Sequence, residues 1–156
     1  MDPRLRQMQR RWTDCRNSLF REGILDDMFM ELQELQDERN PDFIVETVAL
    51  FFTNSENLIR DLYSELAQQN VGFRRVDARI HQLKGSSSSI GAKRVTNACI
   101  AFRDFCRARN LTECLRCLQQ LKEELLLVKS KLETLFELEN QLVAAGGSIP
   151  RVQRSF

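Results

Sequence analysis

The chain has 156 residues, the length of one domain, and its 42% apolar and 29% charged residues suit a single globular core. Lysine plus arginine (23) nearly cancel aspartate plus glutamate (22), so a net charge of +1 gives no electrostatic reason for nucleic acid or a membrane surface as the main partner. No apolar run approaches the roughly 20 residues of a membrane span; the charged opening MDPRLRQMQRRW lacks an apolar signal stretch, and five cysteines without framework spacing fit a reducing compartment, so the protein is expected inside the cell.

Six glycines and three prolines punctuate the chain. Between them apolar residues recur at three- and four-residue steps without strand alternation, which predicts an all-helical fold. The first segment, about 4–21, carries Leu5, Met8, Trp12, Cys15 and Leu19 and stops at Gly23. The second, about 25–38, carries Leu25, Met28, Phe29, Leu32 and Leu35. Asn40-Pro41 combines a capping residue with one suited to a first helical turn. The third segment is therefore placed at about 41–69, with Ile44, Val48, Phe51, Leu58, Leu62 and Leu66 on one stripe, closing at Asn70-Val71-Gly72.

The fourth segment, about 73–90, holds His81, the single histidine. The fifth, about 95–108, places Val95, Ala98, Cys99, Phe102, Phe105 and Cys106 on one side. Asn110 followed by Glu113 resembles a capping box and opens the sixth. There Leu111, Cys114, Leu118, Leu121, Leu125, Val128, Leu132, Leu135 and Leu142 keep the rhythm to about residue 145, roughly 50 Å of helix. Gly146-Gly147 and Pro150 end it, and residues 146–156 are expected to form a flexible tail.

Short connections between long amphipathic segments predict antiparallel neighbours and an up-and-down bundle. The sixth segment alone also suits a coiled coil. A coiled-coil dimer would leave the stripes of segments three to five uncovered, so intramolecular packing is expected.

In segment four the core stripe is Val76, Ile80, Leu83, Ser87 and Ile90. His81 lies one step, about 100°, off that stripe, and its neighbours at helical spacing are Asp77, Ala78, Lys84, Gly85 and Ser88. Gly85 inside a helix costs about 1 kcal/mol relative to Ala, and Ser86 to Ser89 are mediocre helix formers. What these residues provide is lack of bulk: Ala78, Gly85 and Ser88 leave the imidazole above a shallow surface open to another protein. An unprotonated imidazole is a nucleophile suited to accept a phosphoryl group. Lys84 supplies a positive charge for the phosphoryl oxygens. Spacing alone leaves two plainer readings beside this one: a lone histidine on a helix rim, and a serine run that breaks the helix.

The stretch HQLKGSSSSIGA, residues 81–92, resembles the signature of plant histidine-containing phosphotransfer proteins. The similarity continues through LQELQDERNPDFIVETVALFF, RVTNACIAFRDFC, LRCLQQLK, VKSKLETLFELE and VAAGGSIP, in order and over nearly the whole chain. The resemblance implies an antiparallel four-helix bundle over 41–145 with additional N-terminal helices, 1–38, packed on it, and a serine run that continues the helix. It implies that His81 receives a phosphoryl group from a receiver-domain aspartate of a hybrid sensor kinase. His81 would then pass it to a response-regulator aspartate, in cytokinin signalling, with the carrier moving between cytoplasm and nucleus. Lys84 matches the motif lysine, Gly85 its glycine and Gln82 the polar residue after the histidine. Some family members have lost the histidine and act as inhibitors; this chain keeps it. The arginine-rich start matches least clearly.

No phosphate-cradling glycine loop, kinase lysine–aspartate set or magnesium cluster is recognisable in the sequence. The chain is therefore expected to be a covalent carrier and not an enzyme, without a cofactor of its own, the magnesium coming from the receiver domain. The competing reading is a helical adaptor that binds partners without phosphoryl transfer. Gln82, Gly85, Ser88, Ala78 and Arg79 are the candidate docking residues around His81, with Lys93 as a further steering charge. Leu25, Met28 and Phe29 join them if segment two lies beside segment four, and are core residues otherwise. Cys114 and Cys117 form a CxxC, but zinc needs about four ligands and the pair sits near a helix start, so packing is expected, as for Cys99 and Cys106. Asn110-Leu111-Thr112 fits a glycosylation sequon, which capping explains. Six arginines among the first 21 residues, diluted by Asp2, Asp14 and Glu22, read as a solvated helix face.

Overall fold

Six helices make up the computed structural model, in which residues 2–150 are described: α1 (Pro3–Arg21), α2 (Asp27–Leu35), α3 (Phe43–Leu66), α4 (Phe73–Ile90), α5 (Lys93–Arg107) and α6 (Leu111–Ala144). No strand occurs among the described residues. Side chains define most of the helix starts. Asp2 accepts from the Arg4 amide ahead of Pro3, Asp26 accepts from the Met28 amide, and Asn110 accepts from the Glu113 amide, each satisfying an amide that has no partner inside its helix. The expected capping box at Asn110 is only half formed, because the Glu113 carboxylate pairs with Arg116.

The second and third helices depart from the sequence expectation. Leu25 precedes α2, because Asp26 is its cap. The helix stops at Leu35, short of Glu38, and the Asp37 carboxylate takes the Arg39 and Asn40 amides into a turn. Pro41 therefore lies outside α3, which begins at Phe43, and the Gln36 side chain accepts from the Ile44 amide. The cap comes from eight residues upstream, a position no local rule points to.

Helices α3, α4, α5 and α6 pack in a ring, each against the next and α6 against α3. Short connections between successive members make them antiparallel. The expected stripes meet at the centre: Leu62, Val76, Ile80, Leu83, Cys99, Phe102, Leu118 and Leu121 are fully buried. Burial of each large apolar side chain contributes about 1.5–3 kcal/mol. With 34 residues, α6 is about 51 Å long, whereas α5 has 15 residues. The C-terminal part of α6 thus projects beyond α5, and α1 covers it. Leu132, Leu135 and Leu142 are buried there within one chain, so the coiled-coil stripe needs no second copy.

The short helix α2 rests on α4. The Asp26 amide donates to the Gly91 carbonyl at 3.0 Å, and Phe29 is fully buried. Gly91 closes α4 with φ +79°, and a β-carbon there would lie 2.5 Å from the Phe29 amide nitrogen. Both the left-handed conformation and the close approach require glycine.

Residues 146–150, expected to begin a flexible tail, fold back instead. Gln9 donates to the Ser148 carbonyl, and Ile149 packs on the core. The rest of that expected tail, 151–156, lies outside the described residues.

Candidate functional site

Helix α4 runs unbroken through the serine run to Ile90. Three of the four hydroxyls explain how: Ser86, Ser87 and Ser89 donate to the carbonyls of Leu83, Lys84 and Gly85 one turn back, satisfying themselves inside the helix. Ser87 is fully buried and shares a 2.8 Å hydrogen bond with Thr96 of α5. The reading of the run as a helix break is thereby excluded.

The stripe Val76, Ile80, Leu83, Ser87 and Ile90 faces inward. His81 is exposed, one step round the helix, and Ala78, Gln82, Gly85 and Ser88 are exposed with it. A β-carbon on Gly85 would meet nothing within 4 Å. Glycine is therefore not demanded by packing inside this chain; the space it leaves faces outward. Lys84, one turn from His81, is half-buried and close enough to α5 to act electrostatically on Cys99.

The contact on the imidazole itself comes from α5. Arg103 Nη1 lies 2.8 Å from His81 Nδ1. Its other nitrogens grip Asp77, Nε to Oδ1 at 2.9 Å and Nη2 to Oδ2 at 3.4 Å. The hydrogen bond from Arg103 holds the Asp77 carboxyl below the usual carboxylate range, and that same bond raises the Arg103 guanidinium. Among the described residues no partner is bonded to Nε2 of His81. The ring is thus oriented through one nitrogen and open at the other. Sequence reasoning placed Asp77 beside His81 but missed Arg103, which lies 22 residues away on another helix; no local signal connects them.

Other expected residues are distributed differently. Arg79 is exposed but paired with Asp61 of α3 at 3.1 Å. Leu25 and Phe29 lie beside α4 as one alternative required, yet both are buried and only Met28 is exposed. They seat α2 and offer no docking face. Cys99, Cys106, Cys114 and Cys117 are buried; burial pushes the Cys99 thiol up to about 12 and raises the other three. Such thiols are inert packing groups. Cavities of about 700 Å³, lined by Trp12, Gln36, Ile44 and Glu139, and about 600 Å³, lined by Gly72, Arg74, Asp77 and Arg107, do not include His81. The imidazole stands on an outward surface, apart from both cavities.

Comparison with known proteins gives this geometry its setting. The Hpt domain matches residues 46–131. Histidine-containing phosphotransfer protein 1 of Arabidopsis thaliana is 57% identical over 150 residues, covering 96% of this chain and 97% of that protein. This chain belongs to the histidine-containing phosphotransfer (Hpt) family. Histidine-containing phosphotransfer protein 5 of the same plant is 50% identical over 94% of each chain. The crystal structure of a histidine-containing phosphotransfer protein from Medicago truncatula superposes with a TM-score of 0.86 at 46% identity, covering 90% of this chain and 96% of that one. The Hpt match spans α4, α5 and most of α3 and α6; α1 and α2 lie outside it. As an Hpt protein the chain is a phosphotransfer carrier of the plant two-component phosphorelay.

Proposed function

We propose that His81 is the residue that carries the phosphoryl group. It takes the group from an aspartyl phosphate on the receiver domain of a hybrid sensor kinase and gives it to a response-regulator aspartate, in cytokinin signalling, moving between cytoplasm and nucleus. The observation that carries this reading is the exposed imidazole whose Nε2 has no hydrogen-bond partner, beside a glycine with vacant space above it. Nε2 is the atom an incoming phosphorus reaches. The half-buried Lys84 offsets negative charge that spreads over the phosphoryl oxygens during transfer. Ala78, Gln82, Gly85 and Ser88 form the surface on which the receiver docks, with Arg79 at its edge. The receiver brings the magnesium and the acidic pocket, and this chain adds no cofactor.

The deciding experiment is incubation of the full chain with a phosphorylated receiver domain. Wild-type protein should gain an acid-labile, base-stable label. His81→Gln should fold and remain unlabelled; a labelled His81→Gln protein would remove His81 from the role. Partner binding without any label on wild type would leave the adaptor reading in its place.

A further inference from the structure

The contact between Arg103 and His81 constrains the ring's protons. A guanidinium has only donors, so Nδ1 receives the 2.8 Å hydrogen bond through its lone pair. In the neutral ring the proton is then on Nε2, and a protonated nitrogen has no in-plane lone pair with which to attack phosphorus. Acceptance through Nε2 requires the proton to move to Nδ1 and Arg103 to withdraw from it. The phosphorylated ring reverses the relationship. With phosphorus on Nε2, the neutral ring keeps a lone pair on Nδ1, the atom at which Arg103 points. The arrangement opposes the attacking ring and suits the loaded one.

Resting on the reading of His81 as the carrier, we propose that Arg103 is a positioning residue that occupies Nδ1 of phosphorylated His81, keeps that ring neutral and so delays loss of the phosphoryl group to water. In transfer, Nε2 forms the N–P bond as the P–O bond to the partner's aspartate breaks; the carboxylate leaves with the electron pair and the Nδ1 proton passes to water. In hydrolysis, a water oxygen bonds to phosphorus, its proton goes to solvent, and the P–N electron pair returns to Nε2. Departure is easy when Nδ1 is protonated, because neutral imidazole leaves, and hard when it is not. A guanidinium hydrogen-bonded to Nδ1 occupies the place that proton would take.

Asp77 holds the device in register. Its carboxylate takes Nε and Nη2 of Arg103 and leaves Nη1 for the ring. Other charges bear on the pair: on α5, Arg107 acts on Asp77, and Asp104 acts on Arg103 and pairs with Arg107 at 3.7 Å; on α4, Lys84 stands one turn from His81. On the α3 side, Arg79 is closed by Asp61.

Two measurements on the full chain test the proposal. Nitrogen-15 NMR of the unphosphorylated imidazole should show the proton on Nε2 and a bare Nδ1, with Arg103→Ala relaxing to a mixture of tautomers; a wild-type ring protonated at Nδ1 overturns it. The chain is then phosphorylated with phosphoramidate and the label followed from acid to alkaline pH. Arg103→Ala should lose the label about three- to tenfold faster at neutral pH, with the difference vanishing in acid, where Nδ1 is protonated in both proteins. Arg103→Lys, which keeps the positive charge but loses the planar fork that reaches Asp77 and the ring together, should fall between them. Equal decay at neutral pH, with both proteins labelled at His81, overturns the proposal alone. No label on wild-type His81 overturns the carrier reading, and the proposal with it.

Discussion

The Trp12 indole Nε1 donates to Glu139 Oε1 at 3.0 Å, tying α1 to the far part of α6 across a separation of 127 residues. Burial raises the Glu139 carboxyl above the ordinary glutamate range, and the indole bond only partly opposes it. The folded state therefore prefers the protonated acid. That preference is fully present below the ordinary glutamate range and is lost as pH rises through the raised value. Glu139→Gln keeps an oxygen for the indole and removes the charge. Its melting temperature should exceed wild type by a few degrees at neutral pH, and the gap should close as pH falls into the acid range. Thermal unfolding at several pH values reads this directly; a variant less stable than wild type at neutral pH would mean that the charged hydrogen bond outweighs desolvation.

Gly85 separates stability from access. Alanine there meets no atom within 4 Å and has the better helix propensity, so Gly85→Ala should gain up to about 1 kcal/mol in denaturant unfolding. Gly85→Gln should fold with little loss of stability, yet slow phosphoryl uptake from a receiver because its side chain fills the docking space. Unchanged uptake by the Gln variant would mean that the open surface is not the glycine's contribution.

Lys84 distinguishes steering from stabilisation of the reacting group. Lys84→Ala should reduce the transfer rate by roughly ten- to a hundredfold and alter receiver affinity much less. Rapid-quench transfer together with equilibrium binding separates these effects. A loss confined to affinity would make the ammonium a docking charge.

Gly91 is the joint between α4 and α2. A side chain there is strained at φ +79° and collides with the Phe29 backbone. Gly91→Ala should cost roughly 1–3 kcal/mol, or displace α2 from α4. Chemical denaturation reads the first outcome, and hydrogen exchange across residues 27–35 reads the second. Wild-type values in both would show that the joint relaxes without cost.

Much of this molecule is written in its local pattern. The bounds of α4, 73–90, and its inward stripe follow from the period of the apolar residues, and so do the exposed position of His81 and the cap at Asn110. These depend on neighbours three and four residues apart, which a sequence displays openly. The start of α3 departs from the local pattern because the Ile44 amide is served by Gln36 from across a turn. Leu25 and Phe29 lie on an apolar stripe that suits core more than docking, and the structure buries both.

Helical periodicity says which side of a helix turns away from water, and for this chain that was enough to set a ring of antiparallel helices with one imidazole outside it. It does not say which helix stands opposite, or at what height. Only the packed structure brings the Arg103 guanidinium to His81 and Asp77 together, and Trp12 to Glu139, because such contacts depend on how far one helix slides along the next. That displacement is decided by the fit of side chains in the core, a property of all the helices at once and of no single segment.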